Sequence, residues 1–347
     1  MHRVVRPLIT ALVFAVAVAV VAQSQKRPIT EKDIFQFNWI GDPQISPDGA
    51  RVAFVKVSVN DKKDGYNTSI WAVPTSGSQP SQRMTDGKHD SSPRWSPDGK
   101  WLVFVRAPEP SAPGAAGSGV HGERPPAPQL YVLPLAGGES WKITDLPRGA
   151  SGPVWSPDSK LIAFTSDTNP EDIAKARRKE QKLRVEEKEQ SKTEAGPAAT
   201  KPAAENDEEH ESDVRVITRS VYRLNGVGYL DPKHPRHIWV VAVPSGSEDT
   251  VVPKQLTSGS FQEANILWSN DSSHIYFTTT RAEDPSYEAP HADVYSVPAA
   301  GGKAQELLAI NMAPRDVSLS PDGKRLAFCA PFPRSRRRTL LLSNGAP

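Results

Sequence analysis

The sequence has a single cysteine, Cys329, among its 347 residues, which excludes any disulfide bond within the chain. The formal net charge is only +2, so neither sign of charge is in enough excess to indicate a nucleic acid or another polyionic partner. The 33 prolines and 23 glycines fall mainly at repeated turns and in two loops, which indicates turn-rich β structure. With 37% hydrophobic residues the chain can bury a core, held by packing and hydrogen bonds alone.

The motifs of the common catalytic and metal sites are also missing. A hydrolase nucleophile would need Gly-x-Ser-x-Gly, whereas Gly117-Ser118-Gly119 and the stretch from Gly149 to Gly152 have the wrong spacing. The pair His234 and His237 is interrupted by a proline, so no helix aligns the two rings for zinc, and no phosphate-binding glycine loop ending in Lys-Ser or Lys-Thr occurs. We therefore predict no catalytic residue, no metal site and no cofactor in this chain.

One pattern is repeated five times and organises the sequence. It consists of a Ser-Pro-Asp-Gly turn, or a close variant of it, followed by an apolar strand. Proline, aspartate and glycine each favour a tight turn, so every copy predicts a hairpin. The strand that follows is apolar at nearly every position, as in a strand covered on both faces. The copies are Ile45 to Val55, Trp95 to Val105, Trp155 to Thr165, Trp268 to Thr278 and Leu319 to Cys329.

A second pattern follows the first and completes a unit of four strands. Segments such as Leu130-Tyr-Val-Leu-Pro and Val294-Tyr-Ser-Val-Pro indicate a third strand that ends in a glycine turn, and a short fourth strand comes next. Apart from one long insertion, the units recur at close to the 40 to 50 residues of a propeller blade. We predict an all-β protein, a β-propeller of four-stranded antiparallel blades over residues 39–330, with four complete blades and a partial fifth.

The first 38 residues carry two further predictions. Residues 1–22 combine arginines, an apolar run and small residues before a cleavage site, the arrangement of a secretory signal peptide. A retained membrane anchor is the alternative, but the run falls short of the about 20 residues that a spanning helix needs. We therefore expect export to a periplasmic or extracellular location, with no stable membrane anchor after cleavage. Residues 23–38 form a lead-in segment, in which Thr30 begins a short helix.

Blade three contains the larger insertion, at residues 168–231. Its first half is dense in charge and predicts a protruding helix that leads into a disordered tether, either merely solvated or a partner-binding arm. Its second half, Asp213 to Asp231, alternates apolar residues around Asn225-Gly226 and predicts a hairpin. The hairpin is either purely structural or a contact to substrate or to another domain. For the second role the candidate residues are Tyr222 and Arg223, which can hold an anionic or peptide end.

The stretch from Ala107 to Pro128 is rich in Pro, Gly and Ala, and it predicts a surface loop in blade two. Residues 331–347 are assigned to an unpatterned basic tail, with only a faint third strand at Thr339 to Leu342. One short basic run is weak support for nucleic-acid binding, so we predict no nucleic-acid partner.

The entry segment from Thr30 to Gly49, the repeats and the hairpin at Tyr222 together resemble exported bacterial serine peptidases of the prolyl oligopeptidase family. The likeness is to the N-terminal propeller of the acylaminoacyl-peptidase and dipeptidyl-peptidase branches. In that family the propeller covers an α/β-hydrolase domain that carries the catalytic residues, and no such domain is visible here. The resemblance implies a non-catalytic, substrate-gating propeller that acts with short peptides and with that hydrolase domain. Whether this chain itself is an enzyme stays open.

The propellers of that family have seven or eight blades, so the resemblance also implies that this sequence is a fragment of a longer peptidase. Two alternatives remain. One is a TolB-like periplasmic propeller that serves as a protein-binding scaffold, and the other is an inert product of gene decay.

Overall fold

The computed structural model describes residues 27–109, 127–193, 216–217, 222–224, 228–229, 231–282, 291–329 and 338–341. The predicted signal peptide and most of the predicted loop of blade two therefore lie outside the described residues. The chain divides into two compact units. One comprises residues 1–39 with Ser58–Tyr66, and the other comprises Ile40–Val57 with all residues from Asn67 onward.

The smaller unit is organised around the predicted short helix, which is a 3-10 helix at Glu31–Gln36. Asp33 holds the start of this helix, because its carboxylate accepts hydrogen bonds from the Thr30 backbone N–H at 2.7 Å and from the Arg27 guanidinium. Both hydrogen bonds lower the pKa of the Asp33 carboxyl well below its usual range, and the bond from Arg27 has the larger effect. In the same unit the rings of Trp39 and Tyr66 meet edge to face, with their centroids 5.5 Å apart.

Within the described residues, four sheets have four strands each and join the strands in the order of a meander. Sheet 1 consists of β1 (Asn38–Ile45), β2 (Arg51–Val59), β3 (Tyr66–Pro74) and β4 (Gln82–Arg83). Sheet 2 consists of β5 (Asp90–Trp95), β6 (Trp101–Arg106), β7 (Gln129–Pro134) and β8 (Trp141–Lys142). In both sheets the repeated turn joins the first strand to the second, as the repeated pattern predicts.

Sheet 3 begins with β9 (Ser151–Trp155) and β10 (Leu161–Ser166), and it is completed by β13 (His237–Ala242) and β14 (Lys254–Gln255). Between β10 and β13 the chain forms the 24-residue helix α1 (Pro170–Thr193) and the two-stranded sheet of β11 (Arg223–Leu224) and β12 (Gly228–Tyr229). Asn169 and Asp172 cap α1 reciprocally, since the backbone N–H of each donates to the side chain of the other at 3.0 and 2.9 Å. The predicted charged helix begins where this capping pair lies.

Sheet 4 consists of β15 (Glu263–Trp268), β16 (His274–Thr279), β17 (Ala292–Pro298) and β18 (Gln305–Met312). The last described sheet has three strands, β19 (Arg315–Leu319), β20 (Arg325–Cys329) and β21 (Arg338–Leu341). Leu326 faces Leu340 across the β20 and β21 pair. The segment 331–347, assigned from sequence to an unpatterned tail, therefore contains a third strand, because Thr339-Leu340-Leu341 suits a ladder along the edge of β20.

The repeated turn is held by its own serine and aspartate. In sheet 2 the Ser96 hydroxyl donates to Asp98 Oδ1 at 2.6 Å, and the same oxygen accepts the Lys100 N–H at 3.1 Å. Ser96 Oγ in turn accepts the Trp101 N–H at 2.9 Å, which closes the hairpin. The same set of bonds occurs at the other four turns, which begin at Ser46, Ser156, Ser269 and Ser320. The prediction that these aspartates are turn residues is confirmed.

A second repeated feature lies four residues before each turn serine, inside the first strand of every sheet. The residue there has a positive φ in all five sheets, between 45° and 61°. In four of the sheets the strand register shifts at this place, as at a β-bulge. Four of the five residues are glycine, asparagine or aspartate, which tolerate the left-handed region, and the fifth is a serine. They are Asp42, Ser92, Gly152, Asn265 and Asp316.

Successive sheets share apolar cores. From β6, Phe104 packs with Ala53 and Ile70 of sheet 1, while Val103 on the opposite face packs with Phe164 of sheet 3. Further cores of the same kind lie between sheets 3 and 4 and between sheet 4 and the last described sheet. The prediction that the second strand of a unit is covered on both faces is confirmed for sheet 2.

We call the boundary between two neighbouring sheets a seam. A tryptophan side chain forms a hydrogen bond across three of the four seams in the described residues. The indole N–H of Trp95 donates to the Gln44 carbonyl of sheet 1 at 2.9 Å, and Trp155 does the same to Arg94 of sheet 2. Trp268 repeats the bond to a carbonyl of sheet 3 at 3.0 Å. In the last described sheet the equivalent residue is Leu319, so this bond cannot form there.

The turns also contact one another across the seams. Two of them place serine where the others have glycine, and both Ser159 and Ser272 adopt φ 61°. The hydroxyl of each serine accepts the N–H of the turn aspartate in the preceding sheet, at 3.0 Å for Asp98 and at 3.1 Å for Asp158. The contact offsets the strain of a positive φ at serine.

We predict that Trp155→Phe lowers the free energy of unfolding by about 1 to 3 kcal/mol, since it leaves the Arg94 carbonyl without its seam donor and shortens a buried side chain. The measurement is urea denaturation followed by circular dichroism. Trp141→Phe is the matched control, because the buried Trp141 indole nitrogen has no hydrogen-bond partner within the part of the chain that the structure describes. If both variants lowered the free energy of unfolding equally, the hydrogen bond between Trp155 and the Arg94 carbonyl would have no special role.

The turn aspartates should make the free energy of unfolding depend on pH in the acidic range. Hydrogen bonds from the Ser269 hydroxyl, and then from Ser273, lower the pKa of Asp271 to about 2 from 3.8. Since the folded pKa lies below the unfolded value, the stabilisation is complete above about pH 4 and is lost as the pH falls toward 2. We expect the difference in unfolding free energy between wild type and Asp271→Asn to shrink across that interval, whereas the difference for the exposed Asp61→Asn stays flat. A constant difference for Asp271→Asn would refute this linkage.

Candidate functional site

The predicted hairpin with the candidate contact residues is present. Arg223 faces Tyr229 and Leu224 faces Gly228 in the antiparallel pair of β11 and β12, which confirms the hairpin. The predicted turn at residues 225–227 lies outside the described residues. Tyr222 is 44% exposed and Arg223 is exposed as well. A phenol and a guanidinium are thus exposed at consecutive positions of the chain, and each group is chemically able to bind a carboxylate.

A buried ion pair lies at the start of sheet 2. The Arg106 guanidinium donates to both carboxylate oxygens of the fully buried Asp90, at 2.7 and 3.0 Å. The hydrogen bonds that Arg106 donates to Asp90 raise the pKa of the Arg106 guanidinium. The same guanidinium lies over the rings of Tyr131 and Phe104, 4.9 and 5.2 Å from their centroids. Charge and ring contacts therefore fix Arg106 in one orientation.

Arg106 also borders a cavity of about 740 Å³, which is lined as well by Tyr131 and by Ala176 of α1. Its polar lining carries both signs of charge, and ion pairs join Lys142 to Asp145 at 2.8 Å and Lys88 to Glu109 at 3.5 Å. The arrangement can accept polar groups of either sign.

A related cluster lies between sheets 3 and 4. The Glu263 side chain is fully buried, and its Oε2 lies 2.8 Å from His237 Nδ1 and accepts the Thr257 hydroxyl at 3.0 Å. The other oxygen, Oε1, lies 3.6 Å from Arg281 Nη2 and has no hydrogen-bond partner among the described residues. The guanidinium of Arg281 lies over the Tyr295 ring at 5.0 Å. Acid, arginine and tyrosine thus repeat the arrangement of Asp90, Arg106 and Tyr131 in sheet 2.

A serine, a histidine and an aspartate do come together in the turn of sheet 4, but in an order that catalysis cannot use. Ser273 Oγ donates to Asp271 at 2.7 Å and lies 2.8 Å from His274 Nδ1. In a catalytic triad the histidine stands between the other two, so that it takes the serine proton while the carboxylate orients the ring. Here the serine stands in the middle and binds the turn carboxylate.

Two kinds of feature are absent from the described ranges, a metal-binding cluster and a membrane-spanning helix. No group of three or more His, Cys, Asp or Glu side chains in residues 27–341, outside the gaps given above, could hold a metal ion. In the same ranges, no helix is both long and apolar enough to cross a bilayer. The prediction of no catalytic, metal or cofactor residue stays a prediction for the whole chain.

Comparison with known proteins supplies the family. Residues 221–329 match the model of the dipeptidyl peptidase IV N-terminal region. Over 273 residues the chain is 31% identical to "Uncharacterized peptidase YuxL" of Bacillus subtilis. The matched region covers 78% of this chain and 34% of that protein. The chain carries an N-terminal propeller region of the prolyl oligopeptidase family. The resemblance stated from the sequence is thereby confirmed.

Two further relatives agree with this family. Over 188 residues the chain is 26% identical to "Dipeptidyl-peptidase 5" of Porphyromonas endodontalis, covering 51% of this chain and 25% of that protein. The solved acylaminoacyl peptidase of Pyrococcus horikoshii superposes with a TM-score of 0.54 at 15% identity, covering 86% of this chain and 36% of that one. The latter likeness establishes a propeller-like fold. The chain spans about a third of the length of the first of these curated relatives and a quarter of the second.

Sequence reasoning missed the two buried acids, and a usable signal was present. Asp90 and Glu263 both stand six residues before the turn serine of their sheets, Ser96 and Ser269. A charged residue at the same place in two units, each followed by an arginine at or just after the end of the next strand, indicates a repeated ion pair. The structure joins each acid to its arginine, whereas Arg223 lies in the separate two-stranded sheet and Tyr222 just before it.

We predict that Asp90→Ala lowers the free energy of unfolding by about 3 to 5 kcal/mol, because it leaves the Arg106 charge in a largely buried place without its partner. The double variant Asp90→Leu with Arg106→Leu should recover much of this loss, since it removes both charges. Urea denaturation measures both. A double variant that is at least as unstable as Asp90→Ala would contradict this interpretation of the ion pair.

Proposed function

We propose that this chain is the non-catalytic, substrate-gating propeller of an exported serine peptidase that acts on short peptides. The observation that carries the proposal is the 31% identity over 273 residues to a peptidase of which the chain covers 34%. The activity itself belongs to a polypeptide longer than the matched region. The partners of the propeller would be a peptide substrate and an α/β-hydrolase domain.

The finer fold proposal is that sheets 1 to 4 are complete blades, that the last described sheet is a partial fifth, and that more blades pack beside them. The two outer faces of the series support it. Ile45 of sheet 1 is 65% exposed, whereas the equivalent tryptophans of sheets 2, 3 and 4 are buried at their seams. At the other end Ala327 is exposed, whereas its equivalent Ala163 in sheet 3 is fully buried. Faces of this kind are covered in a propeller by neighbouring blades.

The gating role follows from what a rigid cap can contribute to peptide hydrolysis. A propeller beside an active site restricts entry to short chains, excludes water and orients the peptide end. In this proposal Tyr222 and Arg223 contact the substrate or the hydrolase domain, and their exposure on β11 and just before it supports that role. The span 168–231 is proposed as an insertion within the third blade.

Export is part of the same proposal. It rests on the arrangement of residues 1–22, and it predicts that the mature chain begins near residue 23 in the periplasm or outside the cell. N-terminal sequencing of protein recovered from the periplasmic fraction would test it.

The test of function is to sequence the gene and its transcript beyond the codon for residue 347, and to assay the polypeptide that they encode. We expect an open frame with further blades and a Gly-x-Ser-x-Gly hydrolase domain, and turnover of short aminoacyl or dipeptidyl substrates that a serine-directed reagent blocks. Unrelated downstream sequence would overturn the proposal. If the chain then formed a soluble monomer that captured a periplasmic protein, the TolB-like scaffold would replace it.

For the site we predict that Arg223→Ala in the peptidase raises KM by about tenfold and leaves kcat nearly unchanged, because a lost charge-assisted contact weakens ground and transition states alike. Steady-state kinetics on a dipeptidyl reporter is the measurement. Arg178→Ala on the exposed part of α1 is the control and should leave both constants unchanged. A wild-type KM in Arg223→Ala would remove Arg223 from the site.

A further inference from the structure

The chain leaves sheet 3 after β10 and returns to it before β13, and four side chains lie where the two ends meet. Asp172 is the third residue of α1, and Asp231 and His234 lie in the turn before β13. Arg148 comes from the connection between β8 and β9. We call these four residues the clamp. Three of them are largely buried, and the Asp231 side chain is 45% exposed.

Arg148 ties the two ends of the span to the neighbouring connection. Its Nε lies 3.0 Å from Asp172 Oδ2, and its Nη1 lies 3.3 Å from Asp231 Oδ2. Its backbone N–H donates to the Thr168 hydroxyl at 3.1 Å, close to the start of α1. One guanidinium therefore holds one carboxylate from the start of the span and one from its end.

The imidazole of His234 lies between the same two carboxylates. Its Nδ1 is 2.7 Å from Asp231 Oδ2, and its Nε2 is 3.4 Å from Asp172 Oδ2. A neutral imidazole has one N–H, so one ring nitrogen would direct its lone pair at a carboxylate oxygen. The imidazolium has an N–H on both nitrogens and can donate to both carboxylates. In the structure Nδ1 hydrogen-bonds to Asp231, and Nε2 lies within ion-pair distance of Asp172.

Among the four residues of the clamp, the charges sum to zero only when the His234 ring is protonated. Asp172 and Asp231 supply two negative charges, and Arg148 supplies one positive charge. Nearby, Lys233 is exposed, and Arg236 is paired with Asp167 at 3.2 Å. Burial raises the pKa of Asp231, but the hydrogen bonds from His234 and from the Lys233 N–H outweigh it, so that the pKa lies below its usual value. Asp231 is therefore a carboxylate throughout the range in which imidazole titrates.

The clamp bears on two other features of the fold. Ile173, the next residue of α1 after Asp172, packs against the core shared by sheets 2 and 3. One helical turn further, Ala176 lines the cavity beside Arg106. The position of the first turns of α1 therefore determines the wall of that cavity.

We propose that the clamp is a proton-dependent latch, which fixes the start of α1 against sheets 2 and 3 while His234 is an imidazolium and loosens it when the ring is neutral. Loosening withdraws the ion pair between the ring and Asp172 and leaves an excess of one negative charge among the four residues of the clamp. The cavity beside Arg106 then opens on the side of Ala176. The latch acts independently of the proposed peptidase role.

The test is hydrogen exchange of the full chain at pH 5.5 and pH 8.0, corrected for the chemical exchange rate and followed by mass spectrometry on peptides from residues 170–185. In wild type we expect protection of this region to fall by about tenfold between the two values. In His234→Gln, which keeps a polar side chain that does not titrate in this range, protection should be low at both values. His274→Gln, in sheet 4, is the control and should retain the wild-type dependence on pH.

A second variant keeps the test decisive if His234→Gln does not fold. Asp231→Asn leaves His234 in place but removes the carboxylate from Nδ1, and we expect it to reduce the change in protection to less than threefold. A wild-type protein without a change in protection, or an unaltered change in either variant, would overturn the proposal.

Discussion

A strand that is apolar on both faces cannot remain at a surface, and this constraint governs the larger unit of the fold. β6 sends alternate side chains to two neighbours, so sheet 2 needs both of them before its hydrophobic residues are buried. Each sheet in turn needs a neighbouring sheet to bury its own apolar strand. The indole bonds of Trp95, Trp155 and Trp268 then fix how far each sheet is shifted along its neighbour, because a donor and a carbonyl meet at one position only.

Local features were predictable from the sequence, and features that join distant residues were not. The Ser-Pro-Asp-Gly turns could be predicted because every bond of the turn joins residues at most five apart. The start of α1 was predictable in the same way from composition and capping residues. The seam bond of Trp268 joins it to a carbonyl 114 residues away, and a repeated tryptophan before a turn has no local explanation. β21 was only faintly indicated, because its partner strand, rather than its own pattern, determines that Thr339 pairs with Ala327.

The same distinction applies to the polar sites. The hairpin of Arg223 follows from alternating residues around Asn225-Gly226, which is a local signal. The pairs of Asp90 with Arg106 and of Glu263 with His237 depend on which strands are neighbours, so single residues did not indicate them. The family likeness places the chain among propellers that accompany peptidases.

The closure of each hairpin by its own serine and aspartate has a consequence for how the chain reaches its fold. Contacts within five residues close small loops at little entropic cost, so the five hairpins can form on microsecond timescales and independently of one another. The slow step is then the docking of preformed hairpins, since the seams join residues 51 to 114 positions apart. Variants at a turn should therefore alter the folding rate, and variants at a seam should mainly alter the rate of unfolding.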